Sequence, residues 1–265
     1  MTQDLLESID NGIATLTMNR EDSRNALSRE MMTALPEALA RLANDSSVRV
    51  VVLTGAGRAF CSGGDVKGFA KRVTGGDEQS FDQRVTDLRA RMEVSRLLHE
   101  MPKPTLAVIP GPAAGAGLSL ALACDMRIAA DDAKLTTAFS KIGLSGDFGG
   151  SYFLNHLVGA ALARELYFTG KVIRADEAQK IGMLNRVVPF EQLAKAAKEY
   201  AQELASLPTI AVGYMKRNLN TALRGSLSDT LDAEAIHMIR TFETEDHKGA
   251  AAAFVEKRAA QFKGR

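Results

Sequence analysis

Apolar and polar positions along the chain follow two periods, one typical of strands and one typical of helices. Residues 12–18 alternate between apolar and polar as a half-buried strand does, and Ser28 is the predicted N-cap of the helix that follows. That helix carries apolar side chains at helical spacing: Leu27, Met31, Leu35, Leu39 and Leu42. Apolar runs predict further strands at residues 48–54, 105–109, 126–129 and 184–188. Because helical segments separate these runs, the pattern predicts an α/β fold.

Two other regions lack this alternation of strand and helix. Residues 73–87 are polar and contain Gly75 and Gly76, which predicts a mobile loop. From residue 190 onward the pattern is helix after helix, interrupted near Pro208 and Gly225. We therefore divide the chain into a core of residues 1–200 and a helical region of residues 201–265.

Composition narrows the classes of protein that remain. The 265 residues, 46% of them hydrophobic, are enough for one large or two ordinary domains. A net charge of +1 argues against nucleic-acid binding, and no apolar run approaches the length of a membrane span. The first ten residues contain no signal peptide, so we expect a cytoplasmic protein.

Cysteine and histidine give no sign of a metal site. Cys61 and Cys124 lie far apart without C-x-x-C spacing, which predicts free thiols in a reducing compartment. The four histidines show no metal-ligand spacing, and packing or surface roles are expected for them: His99, His156, His237 and His247.

Two glycine-rich turns each follow a predicted strand. Gly63 and Gly64 follow the strand at residues 48–54, and Gly115 and Gly117 follow the strand at residues 105–109, just before a Leu/Ala-rich helix. Free backbone N–H groups at a helix start bind negative charge, either a fixed phosphate or an oxyanion that develops during reaction. Glycine spacing alone leaves open whether the turns aim N–H groups at one carbonyl oxygen or serve packing only.

The sequence around both turns resembles the enoyl-CoA hydratase/isomerase (crotonase) superfamily. The matching stretches are residues 19–27, 60–66, 103–125, 139–144 and 254–263. This resemblance implies an α/β, crotonase-like β-β-α spiral core, followed by a C-terminal helical trimerisation region in a homotrimer or hexamer. It implies an acyl-CoA thioester as substrate, with coenzyme A as part of that substrate and no separate cofactor. By motif position, it assigns an oxyanion hole to the backbone N–H groups of Gly64 and Ala116.

The resemblance also implies which residues hold the substrate. Five match positions that bind the nucleotide end of CoA: Arg24, Ala26, Leu27, Val66 and Lys67. Others lie in or beside the two turns: Ser62, Gly63, Asp65, Gly115, Gly117 and Phe139. Phe262 and Lys263, in the helical tail, match residues that reach a CoA site.

The chain departs from the family pattern where chemistry occurs. Hydratases with a two-glutamate mechanism have glutamates where this chain has Ser119 and Phe139. Addition of water requires carboxylates that hold and deprotonate it, which serine and phenylalanine cannot do. Asp147, on a Gly-flanked loop, is the remaining candidate, and the ring-epoxide isomerases of phenylacetate breakdown, whose sequences look closest, have their catalytic Asp here. The alternative is an ordinary turn aspartate.

The leading hypothesis is a double-bond or ring-epoxide isomerase in which Asp147 is the single acid/base. If Phe139, Phe148 and Phe153 enclose Asp147, loss of solvation raises its pKa. Three alternatives remain: an enoyl-CoA hydratase with atypical residues, an Asp-nucleophile dehalogenase or hydrolase, and a non-catalytic CoA-binding subunit. Dehalogenases of this family also depend on tryptophan, and this chain has none.

Overall fold

The main sheet has six strands in the part of the chain that the structure, a computed structural model, describes: residues 3–64 and 79–265. Their spatial order is β1-β2-β3-β4-β6-β9, and they span Leu5–Asp10, Ile13–Met18, Val50–Gly55, Thr105–Ile109, Met126–Ala130 and Arg186–Val188. β1 pairs antiparallel with β2, and the other pairs are parallel. A smaller sheet in the order β5-β7-β8 consists of Ala113–Ala114, Lys134–Thr136 and Ile173–Arg174.

Helices pack around both sheets and form the tail. In chain order, α1 to α6 span Arg29–Asn44, Phe81–Arg91, Glu93–Glu100, Ala116–Ala123, Gly150–Val158 and Ala160–Thr169. The remaining helices, α7 to α11, span Ala175–Lys180, Phe190–Ala205, Thr209–Ala222, Leu227–Phe242 and Glu245–Val255. Within the described ranges, no helix combines the length and apolar character needed to cross a bilayer.

The main sheet is covered on both faces, which explains its uninterrupted apolar runs. Val50 and Val52 in β3 pack toward α8, whereas Val51 and Leu53 in the same strand belong to the larger core that includes α1 and α4. Successive strand residues point to opposite faces, so a strand buried on both faces must be apolar at every position. The structure confirms the predicted α/β fold.

Two segments differ from what the sequence pattern predicts. The polar residues 81–87 were predicted as loop, but they lie in α2, which the Ser80 hydroxyl caps by accepting a hydrogen bond from Gln83 N at 3.2 Å. No residue of α2 is buried, but Phe81, Val85 and Leu88 recur at helical spacing, so the sequence did contain a signal for this helix. The rest of the predicted loop, residues 73–78, lies outside the described residues. β1 escaped prediction because only Leu5 of its residues is buried.

The tail joins the core through a buried lysine. Lys216 of α9 donates hydrogen bonds from Nζ to Asp125 Oδ2 at 2.7 Å and to the carbonyl oxygens of Leu98 and Lys103 at 2.9 and 3.1 Å. Asp125 also accepts from Thr105 N, at the start of β4. α8, which covers the sheet, runs through residues 200 and 201, so the proposed domain boundary falls inside this helix. The division remains a prediction.

Lys216→Met should destabilise the fold strongly. Removing one partner of a buried pair leaves the other charge uncompensated, at a typical cost of about 3 to 5 kcal/mol. Lys195→Met is the matched control, because Lys195 forms only an exposed pair with Glu199 on α8 and should change stability by less than about 1 kcal/mol. Chemical denaturation measures both. Equal effects of the two substitutions would show that Lys216 does not anchor the tail.

Candidate active site

The two glycine turns lie against each other at the ends of β3 and β4. Ala114 N donates to Cys61 O at 2.9 Å, and Cys61 and Ala113 form a parallel bridge. Gly117 packs so closely against Cys61 that a Cβ on Gly117 would meet the Cys61 carbonyl oxygen and lie 2.6 Å from its Cβ. A Cβ on Gly63 would lie 3.5 Å from Ala116 N. The predicted oxyanion-hole turns are therefore direct neighbours.

Gly115 allows the second turn to enter α4. Its φ of 52° lies in the left-handed region, where glycine has no steric penalty. α4 then begins at Ala116, and all eight of its residues are buried. Because the first N–H groups of a helix lack intrahelical partners, Ala116 lies where a donor for an oxyanion is expected.

A third loop, at residues 24–27, packs beside the two turns at the carboxyl ends of the strands. Leu27 N donates to Gly63 O at 2.9 Å, and Ser62 N donates to Arg24 O at 2.9 Å. Asn25, which is fully buried, holds the loop through its Nδ2 group, which donates to the carbonyl oxygens of Ala56 and Ala59 at 3.0 and 2.8 Å. Sequence reasoning missed Asn25, although an asparagine beside Arg24 before an apolar helix is a signal for a left-handed turn.

A cleft of about 420 Å³ opens over these loops. It brings together Gly64, Ala116 and Asp147, the three residues predicted for chemistry. Its complete lining is Leu27, Ser28, Arg29, Met32, Gly64, Gln79, Asp87, Leu88, Arg91, Ala116, Asp147 and Phe148. The wall that α2 supplies was missed, because residues 81–87 were predicted as loop.

Asp147 enters the cleft from a loop of unusual backbone. Gly146, Phe148 and Gly149 have φ values of 107°, 50° and 74°. Asp147 is partly buried, and its buried Oδ1 has no hydrogen-bond partner among the described residues. Burial raises the pKa of Asp147 from its ordinary value to about 6. Phe139, Phe148 and Phe153 are all buried around this loop, as the raised pKa requires.

The side chains at the positions of the hydratase glutamates are buried and do not line the cleft. Ser119 is buried and donates from Oγ to Gly115 O at 3.3 Å. Phe139 is buried and stacks on Tyr167, with 6.0 Å between ring centroids. Neither side chain lines the cleft. Of the two carboxylates that line the cleft, Asp87 accepts hydrogen bonds from Gln79 and Gln83, whereas Asp147 has an oxygen with no partner among the described residues.

The residues predicted to bind CoA outside the glycine turns belong to three segments of the sequence: residues 24–27, 65–67 and 262–263. Arg24 lines a basic pocket with Arg58 and Lys134, beside the loop that contains Ala26 and Leu27. Asp65, Val66 and Lys67 lie outside the described residues. Their predicted role stays a prediction.

Phe262 and Lys263 lie at the opposite end of the strands, near the start of β3. Arg49, which precedes β3, donates to Phe262 O at 3.0 Å, and Lys263 N donates to Asp246 Oδ1 at 2.6 Å. The cleft lies beyond the other end of β3. These two residues therefore do not reach the cleft of their own chain.

The cysteines and acidic groups offer no metal chemistry within residues 3–64 and 79–265. Cys61 and Cys124 are free thiols, as predicted, and burial raises the pKa of each to about 12. Across those ranges, no cluster of three His, Cys, Asp or Glu side chains is arranged to hold a metal ion.

Sequence comparison decides the family. Residues 8–265 match the enoyl-CoA hydratase/isomerase family. The chain belongs to this family. A 1,2-epoxyphenylacetyl-CoA isomerase from Escherichia coli K12 is 36% identical over all 265 residues, which cover 100% of each chain. A short-chain-enoyl-CoA hydratase from Clostridium acetobutylicum is 34% identical over 96% of this chain and 95% of its own.

Solved structures of the family share the fold. An enoyl-CoA hydratase from Polaromonas sp. JS666 superposes with a TM-score of 0.91 at 31% identity, covering 97% of this chain and 99% of that one. An enoyl-CoA hydratase from Bacillus anthracis gives the same TM-score and identity over 99% and 100% of the two chains. The fold and the acyl-CoA enzyme family are therefore established together.

Gly117→Ala should separate the two turns and abolish most activity. The added Cβ has no room against the Cys61 backbone, and misplacing catalytic groups by about 1 Å costs on the order of 10²-fold in rate. Gly249→Ala is the matched control, because its Cβ would meet nothing within 4 Å and it lies in α11. Turnover and melting temperature are measured for both. Normal turnover by Gly117→Ala would refute the close contact.

Asp147→Asn should stabilise the fold above pH 6. The folded-state pKa of Asp147 is about 6, above the ordinary value of 3.8, so its contribution to stability is present below pH 4 and lost as pH rises through 6. Asparagine does not ionise. The difference in free energy of unfolding between variant and wild type should therefore grow by about 1 to 2 kcal/mol from pH 4 to pH 8. This is less than the full pKa shift would give, because the carboxylate is partly exposed. Denaturation at both pH values tests this, with exposed Asp232→Asn as control.

Proposed function

We propose that this enzyme is an isomerase that moves a double bond, or rearranges a ring epoxide, in an acyl-CoA thioester. One observation carries the proposal: Asp147 has a buried, unpartnered oxygen and a pKa raised to about 6, in the same cleft as Gly64 and Ala116. A general base is most effective when its pKa lies near the operating pH. No hydrogen bond from a described residue is made to Oδ1, so no donor lowers the basicity of this oxygen.

The proposed chemistry divides between backbone and side chain. The N–H groups of Gly64 and Ala116 would donate to the thioester oxygen and stabilise the enolate, where one such donor is typically worth about 3 to 4 kcal/mol. Asp147 would remove a proton from C2, and the negative charge would delocalise onto the thioester oxygen and C4. The protonated Asp147 would then return the proton at C4. The proton moves from C2 to C4, and the double bond moves by one position, from C3–C4 to C2–C3, without water.

The buried positions of Ser119 and Phe139 favour isomerisation over hydration. Addition of water needs groups that hold and deprotonate the water molecule, and neither side chain contacts the cleft. The names of the relatives alone do not separate the two activities, since one is an isomerase and another a hydratase. The acid/base environment of Asp147 is what favours the isomerase.

Asp147→Asn should lower turnover by roughly 10²-fold to 10⁴-fold, because it removes the base while preserving shape. Conversion of 3-enoyl-CoA to 2-enoyl-CoA is followed by the absorbance of the conjugated thioester. In the wild type, kcat/KM should rise with pH and level off above about 6, since the base must be ionised. Substrate binding should change little. Turnover by the Asn variant close to that of the wild type would exclude Asp147 as the base.

Further measurements on the same samples distinguish the alternatives. In heavy water, the isomerase should exchange the C2 proton of the substrate. A nucleophilic Asp147 would instead add the mass of an acyl or aryl group to its peptide. A hydratase would form 3-hydroxyacyl-CoA from 2-enoyl-CoA, and a non-catalytic subunit would bind acyl-CoA without converting any substrate in the panel.

We also propose a trimer or a dimer of trimers, assembled through the tail. No residue of α10 is buried, although the helix is rich in apolar side chains. Several of them are more than half exposed in the single chain: Leu227, Leu231, Ile236, Met238 and Ile239. Phe262 and Lys263, which do not reach the cleft of their own chain, would then be free to approach a neighbouring subunit.

Truncation after Gly249 should release monomers or give insoluble protein. It removes most of α11 and the segment that Asp246 and Arg49 hold. Size-exclusion chromatography with light scattering measures the oligomeric state. Ile236→Asp in the full chain is a milder test, because it adds one charge to the exposed apolar surface of α10. A soluble, fully active truncated monomer would contradict this assembly.

A further inference from the structure

The side chain of Asp147 is not oriented by a hydrogen bond to its buried oxygen. Oδ1 has no partner within the described residues, so the backbone of the loop must hold the carboxylate in its direction. That backbone is unusual, since Gly146, Phe148 and Gly149 all have positive φ values. Phe148 is the exception among them, because a residue with a Cβ rarely adopts this conformation without support from its surroundings.

The side chain of Ser95 supplies such support from outside the loop. Ser95, buried in α3, donates a hydrogen bond from Oγ to the carbonyl oxygen of Phe148 at 2.7 Å. The bond fixes the peptide group that follows Phe148, one residue after Asp147. Phe148 also lines the cleft, so a rotation of its backbone would move the wall and the carboxylate together.

α3 is a firm base for this contact. At its C-terminal end, the carbonyl oxygen of Leu98 accepts from Lys216 Nζ at 2.9 Å, and that of His99 accepts from Asn220 Nδ2 at 2.9 Å. Val94 and Leu98 of the same helix are fully buried in the core. Ser95 therefore connects the loop of Asp147 to a helix that is fixed on two sides.

We propose that Ser95 is a positioning residue that keeps Asp147 aimed at the substrate by holding the carbonyl group of Phe148. The inference rests on the proposed role of Asp147 as the base. Without this bond, the loop gains freedom, water reaches the carboxylate, and its orientation toward C2 is lost. A buried hydroxyl in α3 thereby contributes to catalysis without touching the substrate.

The test compares Ser95→Ala with Thr54→Val, which removes another hydroxyl-to-carbonyl bond, from Thr54 Oγ1 to Val108 O at 2.9 Å within the sheet. Ser95→Ala should lower kcat roughly 10-fold, since small displacements of a catalytic group are costly, while KM changes less than about twofold. The acid limb of the pH profile should move to lower pH, because better solvation lowers the pKa of Asp147. Thr54→Val should change neither quantity.

The pH readout is specific to the carboxylate if other titrating groups near the loop stay constant. Tyr167 faces Asp147, and its pKa is raised to about 12 chiefly by burial, well above the range scanned. Arg29, Asp87 and Arg91 line the same cleft, and His99 of α3, whose pKa burial lowers, packs against Phe153; all four residues are present in both variants, so a shift seen only in Ser95→Ala does not come from them. A purely structural role for Ser95 would lower the melting temperature without moving the acid limb.

Two further variants keep the proposal open to refutation. Ser95→Cys preserves volume but donates weakly, so it should show the lower kcat and the shifted acid limb expected of Ser95→Ala. It provides this test even if the alanine variant folds poorly. Ser95→Thr retains the hydroxyl, so its kcat should be close to that of the wild type. In the Asp147→Asn background, Ser95→Ala should cause no further loss of turnover, since the base it positions is already absent. Wild-type kcat and pH profile in Ser95→Cys would overturn the proposal.

The outcome also separates the two proposals. If Asp147→Asn is inactive and the Ser95 variants behave like Thr54→Val, only the positioning role fails. If Asp147→Asn retains isomerase activity, Asp147 is not the base, and the positioning role fails with it; if the wild type isomerises no enoyl-CoA, the proposed function itself fails.

Discussion

The close contact between the two glycine turns is the constraint on which the site depends. Gly117 lies against the backbone of Cys61 with no space for a side chain, and this contact brings the start of α4 beside the turn that contains Gly64. Parallel strands make the arrangement possible, because β3 and β4 end at the same edge of the sheet. The loop that contains Asn25 then fastens to the first turn and closes this edge. The positions of Gly64 and Ala116 are therefore set mainly by backbone contacts between the turns.

Asp147 introduces an electrostatic cost into this rigid frame. Its partly buried carboxylate lacks a partner for one oxygen, and burial raises its pKa to about 6. By contrast, the buried charge of Lys216 is compensated by Asp125 and two carbonyl oxygens. Strongly perturbed, uncompensated groups concentrate where proteins do chemistry. The contrast between Asp147 and Lys216 within one chain is the physical reason to assign catalysis to the first and anchoring to the second.

Sequence predicted the strands of the core well because both faces of the sheet are buried. Residues 105–109 are apolar after Thr105, residues 126–129 are apolar except for Arg127, and the structure places strands there. The two glycine turns and Asp147 were also predicted, since their spacing follows the family. Prediction failed for α2 because the polar residues around Phe81, Val85 and Leu88 outweighed the helical spacing of these three exposed side chains.

Other parts of the site could not have been read from sequence at all. Ser95 lies far from Phe148 along the chain, and only the packing of α3 on the loop brings them together. The same holds for the wall formed by Leu88 and Arg91. Residue types at such positions do not encode which loop they meet. The missing information is tertiary, whereas the motifs record local backbone requirements.

We propose that the environment of Asp147 raises its pKa, and that the raised pKa allows Asp147 to act as a base. Carbon-13 NMR of the aspartate carboxyl groups, titrated from pH 3 to pH 9 and assigned by loss of one resonance in Asp147→Asn, measures this pKa directly. If burial sets the acidity of Asp147, its carboxyl group should titrate with an apparent pKa near 6. A value near 3.8, the ordinary value for an aspartate, would contradict it.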